Sequence, residues 1–569
     1  MEEKLPRWNL DNIYPSCDGK EFAGDCEKVI DLSKQLEKKA ADPNSAIVEL
    51  LKLSDDIAAT LINVSAYASA LLSTDTSNAS YIRAVGKTDD AYSAYSAAMS
   101  AVTYYLSKRI DEFSAPELKD YELTLEEIKV MSKHQMSLEE EKLASEFLKV
   151  SSSSWDRLQS SITSSIQDGD KTLIELRSMA TDPDREVRKN AFDRELKILK
   201  DHEVALAAAL NGVKGTVLLL EKRRGWENPL DRSIFTSRIT PKTLDALISA
   251  LEDSRSMFQD YMKTKAKLLG IEKMDFYDLF APVGNSAKKY SYEEAKKLVF
   301  DSYNAFSPEA GAFIKNAFDN NWIDVGPRKG KVGGAYDTAF PLAKESRILT
   351  NFDYSYDSVS TLAHELGHAF HDSRVKDLPI SQAEYPMTLA ETASIFGENL
   401  LFQHVLEVTD KADQLPIIEA YVQSACQVCI DILSRFYFEK SMFEARKDGE
   451  LSPAEMCKLM LDAQQKAYGD GLGVKHPYMW AVKSHYYSEG FSFYNYPYAF
   501  GQLFALGLFA SKDDVPSFPE HYNKILRLTG SKMATDVAKE AGIDIEDKAF
   551  WNKGISVIAG YAERLKEWL

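Results

Sequence analysis

Cysteine is scarce. The five present are Cys17, Cys26, Cys426, Cys429 and Cys457. An odd, scattered set excludes a disulfide framework and fits a reducing compartment. Cys426 and Cys429 form a lone C-x-x-C inside "IIEAYVQSACQVCIDILSRF", a stretch that reads as helix. No second pair follows to complete a structural zinc site, so two small residues on a buried helix face is the reading adopted. Uncharged apolar runs of about 18 residues are also missing, and no membrane span is expected. The opening "MEEKLPRWNLDNIYPS" carries two early acids and no apolar stretch, so no secretory signal is expected there and the expected location is cytoplasmic. Positive charge is in deficit: 68 Lys and Arg face 87 Asp and Glu, for a net charge of −19. With no basic run to offset this, nucleic acid and anionic membrane are excluded as expected partners.

What is present is globular and helical. Hydrophobic residues make up 44% and charged residues 27% of 569, ordinary values for a folded chain but too long a chain for one compact core. Two or more lobes are expected, with a boundary between about residues 110 and 200. Stretches such as "NSAIVELLKLSDDIAATLINVSAYASALL" repeat apolar residues every three to four positions, the helical period. "TDPDREVRKNAFDRELKILKDHEVALAAALNGVKGTVLLLEKRRG" continues it, between a start near Pro183 and a stop at Gly225. Residues 329–355 break the pattern with paired glycines and a proline, and "SRILTNF" looks like a strand. The expected class is mainly α, with a small β-sheet just before the segment "STLAHELGHAFHDS".

That segment carries His364, Glu365, His368 and His371. Asp357 or Ser358 is placed to cap its helix. At 100° per residue, Val359, Leu362, Ala363, Leu366, Ala369 and Phe370 form one apolar stripe, and the three histidines lie on the other side. Imidazoles at i and i+4 are neighbours and can converge on one zinc ion, with Glu365 beside it as a general base. The competing reading is a solvated polar face. His371 lies about 10 Å along the axis from His364 and is read as an outer-sphere residue or cleft wall. A third ligand is expected from "EYPMTLAETASIFGENLLFQHVL". There Glu391 and Glu398, seven apart, share a face opposite Ile395, Phe396 and Leu400, and Glu384 is a loop candidate. Spacing favours Glu391 without excluding Glu398.

"ESRILTNFDYSYDSVSTLAHELGHAFHDS" followed by "YPMTLAETASIFGENLL" resembles oligoendopeptidase F, one of the thimet-oligopeptidase-like zinc metallopeptidases. The likeness extends to "PRWNLDNIYPS", "ENPLDRSIFTSRIT", "GKVGGAYDTAF" and "FSFYNYPYAFGQLF" and so spans nearly the whole chain. It implies a two-lobed helical fold enclosing a deep substrate channel. Residues 1–200 would form a helical N-terminal lobe, with an oligopeptidase F N-terminal-type subdomain at about 110–190, and residues 201–569 the catalytic domain. It implies one Zn²⁺ per chain held by His364, His368 and Glu391, Glu365 as the base, and short peptides as substrates. His485 and the tyrosines that follow it are similar to family residues that bind substrate and stabilise the oxyanion. Of these, Tyr494 and Tyr498 are favoured over Tyr496, because a helix starting at Tyr494 puts Tyr498 on its face. His476 is read as a loop residue. Asp337 departs from the pattern, standing where many relatives have cysteine.

The expected chemistry is hydrolysis of internal peptide bonds by zinc-activated water, with Glu365 shuttling the proton. "SRILTNF" is expected to pair with an extended peptide, and Gly333 and Gly334 to let a nearby loop close. The alternatives are a zinc carboxypeptidase or dipeptidase on a similar scaffold, and a non-catalytic peptide-binding helical protein.

Overall fold

The computed structural model describes residues 4–284, 288–512 and 514–569. The fold is mainly α, with only small sheets. It resolves into two compact units, each assembled from three separate segments.

The first unit comprises Met1–Lys133, Ala287–Val408 and Ser511–Ile543. Its N-terminal part packs three long helices, α1 (Lys20–Ala40), α2 (Ile47–Thr74) and α3 (Ala79–Leu106). In α1 the buried residues are Phe22, Cys26, Val29, Ser33, Leu36 and Ala40, alternating steps of four and three. That stripe is what drives the helix onto its neighbours, at about 1.5–3 kcal/mol for each large apolar side chain fully buried. Asn78 caps α3 by accepting from the Ser80 and Tyr81 N–H groups.

A three-stranded sheet follows in the same unit: β1 (Ile323–Asp324), β2 (Tyr336–Phe340) and β3 (Glu345–Leu349). The order is β1-β3-β2, with β3 parallel to β1 and antiparallel to β2. The first four residues of "SRILTNF" are therefore strand, in line with expectation, but in the central one, paired on both sides. Added-strand pairing with a peptide at β3 is corrected accordingly; among the described residues the edges are β1 and β2. Phe340 of β2 is fully buried in the same core as α1–α3.

The second unit comprises His134–Ser286, Thr409–Ala510 and Asp544–Leu569. Its spine is the 39-residue helix α4 (Arg185–Arg223), capped by Asp184 and ended before Gly225, which takes a φ of 77°. Lys214 on α4 is fully buried and pairs with Glu439 at 2.7 Å. Removing either partner leaves an uncompensated buried charge, at a cost of about 3–5 kcal/mol. Cys426 and Cys429 are buried free thiols at a π-helical turn, Gln427–Asp431. Burial pushes both up, Cys429 to about 12, which makes them inert packing groups.

Among the described residues, three helical stretches are long and apolar enough, by length and composition, to cross a membrane: Ile47–Thr74, Arg185–Arg223 and Lys411–Asp448. Within the fold, 61%, 44% and 67% of their apolar windows are buried, so much of that apolarity is used in packing.

Candidate metal centre

The histidine helix is α5 (Tyr356–Val375), in the first unit. Its N-cap is Ser355, whose side chain accepts from the Ser358 N–H at 3.1 Å; Ser358 itself donates to Asp353 at 2.5 Å. The cap thus lies two to three residues before the expected Asp357 or Ser358, because the Asp353–Ser358 contact closes the turn ahead of the helix. Val359, Leu362, Ala363, Leu366, Ala369 and Phe370 are all buried, as the stripe requires.

The partner helix is α6 (Met387–Val408). Early residues of one meet late residues of the other, from Ala363 with Gly397 to Gly367 with Ala393, so the two run antiparallel. Two glycines permit the close approach. A Cβ on Gly367 would lie 2.6 Å from the Ala393 carbonyl oxygen and the Ser394 Cα, and one on Gly397 would lie 1.8 Å from the Tyr303 hydroxyl. Glu391, Ile395 and Glu398 share the less buried face of α6. Ile395 was expected in the opposite apolar run. The helix is buried nearly all round, with Thr388, Thr392 and Ser394 inside, so its apolar side was not separable by pattern.

This packing gathers three donor atoms. His364 Nε2 and His368 Nε2 are 3.2 Å apart, and Glu391 Oε2 lies 3.5 Å from the first and 3.6 Å from the second. A tetrahedral zinc with bonds of about 2.0–2.1 Å holds its ligand atoms about 3.3–3.4 Å apart. The donor set and its spacing fit zinc. The groups of His364, Glu365 and His368 also lie within 4.8 Å of one another, but that set is looser than the one with Glu391. Glu384 ends the short helix Ile380–Ala383 and is not in the triangle.

The surroundings aim these donors. Glu398 bonds to His364 Nδ1, leaving Nε2 for the triangle. His368 hydrogen-bonds the Ala390 carbonyl. Ser394 donates to Glu391 Oε2 at 2.7 Å. A carboxylate or carbonyl behind each imidazole is the usual outer support of a metal-binding histidine. Burial lowers the His364 pKa, but Glu398, Glu391 and Glu365 outweigh it and hold it at about 9. His368, where burial wins, is held down to about 4.

Glu365 is buried beside the sheet. Burial pushes its carboxyl up to about 7; His364 opposes this, Glu391 and Glu398 add to it, and a hydrogen bond from the Asp337 N–H on β2 opposes it. Asp337 Oδ1 is shut off from solvent, and burial together with the facing Asp372 carboxylate raises its pKa well above the ordinary range. Asp372 also accepts from the Tyr385 hydroxyl at 2.8 Å and Ser346 at 3.3 Å. Burial raises Asp372 as well, against the hydrogen bonds it receives from Tyr385 and Ser346.

His371 is fully buried, stacked on Tyr385 at 4.0 Å, with Nε2 2.8 Å from Thr529 Oγ1. Tyr385 and the segment at Leu526–Thr529 close over it, which excludes the cleft-wall reading and leaves that of an outer-sphere residue. Gly333 and Gly334 are exposed, and their loop is tied down by Asn351, which donates to the Val332 and Gly334 carbonyls at 3.0 and 2.8 Å.

His485, Tyr494 and Tyr498 belong to the second unit. The helix there, Tyr496–Ala510, starts at Tyr496 rather than Tyr494. Tyr494 and Tyr498 nevertheless meet, hydroxyl to hydroxyl, at 2.9 Å. Tyr496 is fully buried, its hydroxyl bonded to Ser237 at 2.9 Å and Ser233 at 3.2 Å. His476 is a loop residue, as expected, and is buried between Phe192 and Phe276.

The chain matches the model of Peptidase family M3 over residues 178–557 and that of Oligopeptidase F over residues 107–167. It belongs to peptidase family M3. Oligopeptidase PepF of Bacillus subtilis is 27% identical to this M3 peptidase over 567 residues, covering 95% of this chain and 83% of that protein. Group B oligopeptidase PepB of Streptococcus agalactiae is 24% identical, over 100% of this chain and 97% of its own. A crystal structure of a Chlamydophila abortus protein superposes with a TM-score of 0.82 at 22% identity, covering 98% of both chains. Oligoendopeptidase-F from Enterococcus faecium gives 0.70 at 19%, over 96% and 98%. The M3 peptidase is thus a metalloendopeptidase of the oligoendopeptidase F type.

Proposed function

We propose that this peptidase is a zinc-dependent endopeptidase acting on internal bonds of short peptides, with one zinc held by His364, His368 and Glu391. The observation that carries the reading is the triangle of two Nε2 atoms and one carboxylate oxygen with edges of 3.2, 3.5 and 3.6 Å. Zinc bound there supplies Lewis acidity, lowering the pKa of water toward about 7 and polarising a carbonyl. Glu365 takes the proton from the attacking water at its carboxylate and delivers it to the leaving amine. Glu398 holds the His364 ring through Nδ1, and Ser394 holds the Glu391 carboxylate. Of the two sheet edges, β2 is the one assigned to the substrate backbone, since its Asp337 N–H already reaches Glu365. His485, Tyr494 and Tyr498 are assigned to substrate binding and to donation toward the oxyanion, on family likeness.

The test is a short quenched fluorescent peptide with both termini blocked. Internal cleavage that a chelator stops and added zinc restores is the expected result. Cleavage confined to peptides with a free terminus would make the enzyme an exopeptidase and overturn the reading.

A further inference from the structure

The proposed chemistry leaves unexplained a chain of polar groups in the second unit that ends on His485. It begins at Asp431, the last residue of the π-helical turn, which is buried and accepts from the Tyr468 hydroxyl at 3.0 Å. Asp431 pairs with Arg435 one turn on, in α7 (Ile432–Asp448). Arg435 Nη1 then donates to Asn495 Oδ1 at 3.1 Å. Asn495 is buried and immediately precedes α8 (Tyr496–Ala510). Its Nδ2 lies 2.9 Å from His485 Nε2.

The donor inventory decides which way each group points. A guanidinium only donates, so the Asn495 atom facing Arg435 is the oxygen. The other end of the amide is then the nitrogen, which donates. His485 Nε2 must therefore accept, and the ring proton sits on Nδ1. The ring is uncharged: burial first, then the cations Arg435, Lys214 and Lys483, outweigh Asp431 and press its pKa to about 3. Tyr494 stacks on the ring, centroids 5.6 Å apart, and limits its tilt. Nδ1 has no hydrogen-bond partner among the described residues.

We infer that Arg435 and Asn495 are positioning residues that lock His485 in the Nδ1–H tautomer, so that Nδ1 donates to the scissile carbonyl oxygen as negative charge develops on it. The inference rests on the proposed role of His485. The relay supplies what an oxyanion donor needs, a fixed proton on a fixed atom with no net charge to desolvate. Nothing is transferred through Asn495 or Arg435; they act by orientation alone.

The test separates the tautomer from its use. Full-length protein labelled with ¹⁵N-histidine is examined by two-bond ¹H–¹⁵N correlation, with His485→Gln assigning the resonance. The wild type is expected to show a protonated Nδ1 and a bare Nε2. Asn495→Asp puts an acceptor at Nε2 and is expected to move the proton there, lowering kcat about a hundredfold or more with far less change in KM. Asn495→Leu, which removes the amide without adding charge, is expected to show both tautomers and a smaller fall. A wild-type Nε2–H signal would overturn the inference and leave the role of His485 standing. A tautomer that flips in Asn495→Asp with unchanged kcat would overturn both. If Asn495→Asp fails to fold, the wild-type spectrum, assigned with His485→Gln, still tests the tautomer.

Discussion

His364 and His485 are the same residue type, both largely enclosed, and their surroundings give them opposite character. His364 sits among Glu398, Glu391 and Glu365, which hold its pKa at about 9 against burial. His485 sits among Arg435, Lys214 and Lys483, which join burial in pressing it to about 3. Carboxylates around an imidazole make a place for a cation. Cations around an imidazole make a neutral donor that stays neutral through the physiological range. In each case a single neighbour on the rear nitrogen directs the working one: Glu398 on Nδ1 of His364, Asn495 on Nε2 of His485.

The sharpest way to separate the two regions is to disable each. Glu365→Gln should keep zinc at one per chain yet lower turnover by about 10²–10⁴-fold, the range for a lost general acid–base. His485→Gln should also keep zinc, but cost about 10²–10³-fold, the range for one lost oxyanion donor. Equal losses of zinc in both would erase the distinction. A smaller effect is expected at the support of His364: Glu398→Ala should weaken zinc affinity about 10–100-fold, read by competition with a chelator. The close approach of α5 and α6 is tested by Gly367→Ala. Its new methyl meets backbone at 2.6 Å, so denaturant unfolding should show a loss of about 1–3 kcal/mol.

The smallest effect concerns the carboxyl pair behind Glu365. Burial and the Asp372 carboxylate raise Asp337 well above the ordinary range, so the fold holds its proton more tightly than the unfolded chain does. Its contribution to stability is complete below the unfolded value of about 3.9 and declines as pH rises toward the folded value. Asp337→Asn keeps a donor toward Asp372 and removes that decline, by about 1.4 kcal/mol for each pKa unit abolished. Thermal unfolding should therefore favour the variant over wild type increasingly as pH rises above about 4. A constant difference across pH would contradict the raised pKa of Asp337.

Local period made the helices legible, and the phase of His364 against His368 needed nothing more than 100° per residue. Glu391 and Glu398 were not separable that way, because seven residues return to the same face. What distinguishes them is depth across the α5–α6 contact, set by Gly367 and Gly397. Those two glycines inside helical patterns were the available signal. For His371 the choice between outer sphere and cleft wall stayed open, because the residues that cover it, Tyr385 and Thr529, lie 14 and 158 positions away in the chain. The central position of β3 depended on β1, two residues long and without a pattern of its own. The start of α8 at Tyr496 was signalled by Pro497, since proline is favoured in a first helical turn. Asn495 and Arg435 carried no signal at all, being ordinary polar residues 60 positions apart whose pairing exists only in the fold.

The central claim is the identity of the metal's donors, and anomalous scattering at the zinc edge from crystals of the zinc-loaded Glu365→Gln enzyme tests it most directly. The account predicts a single peak within bonding distance of His364 Nε2, His368 Nε2 and a Glu391 oxygen, with Glu398 on His364 Nδ1. A peak bound by Glu398 or by residue 365 in place of Glu391, or one at His485, would contradict it.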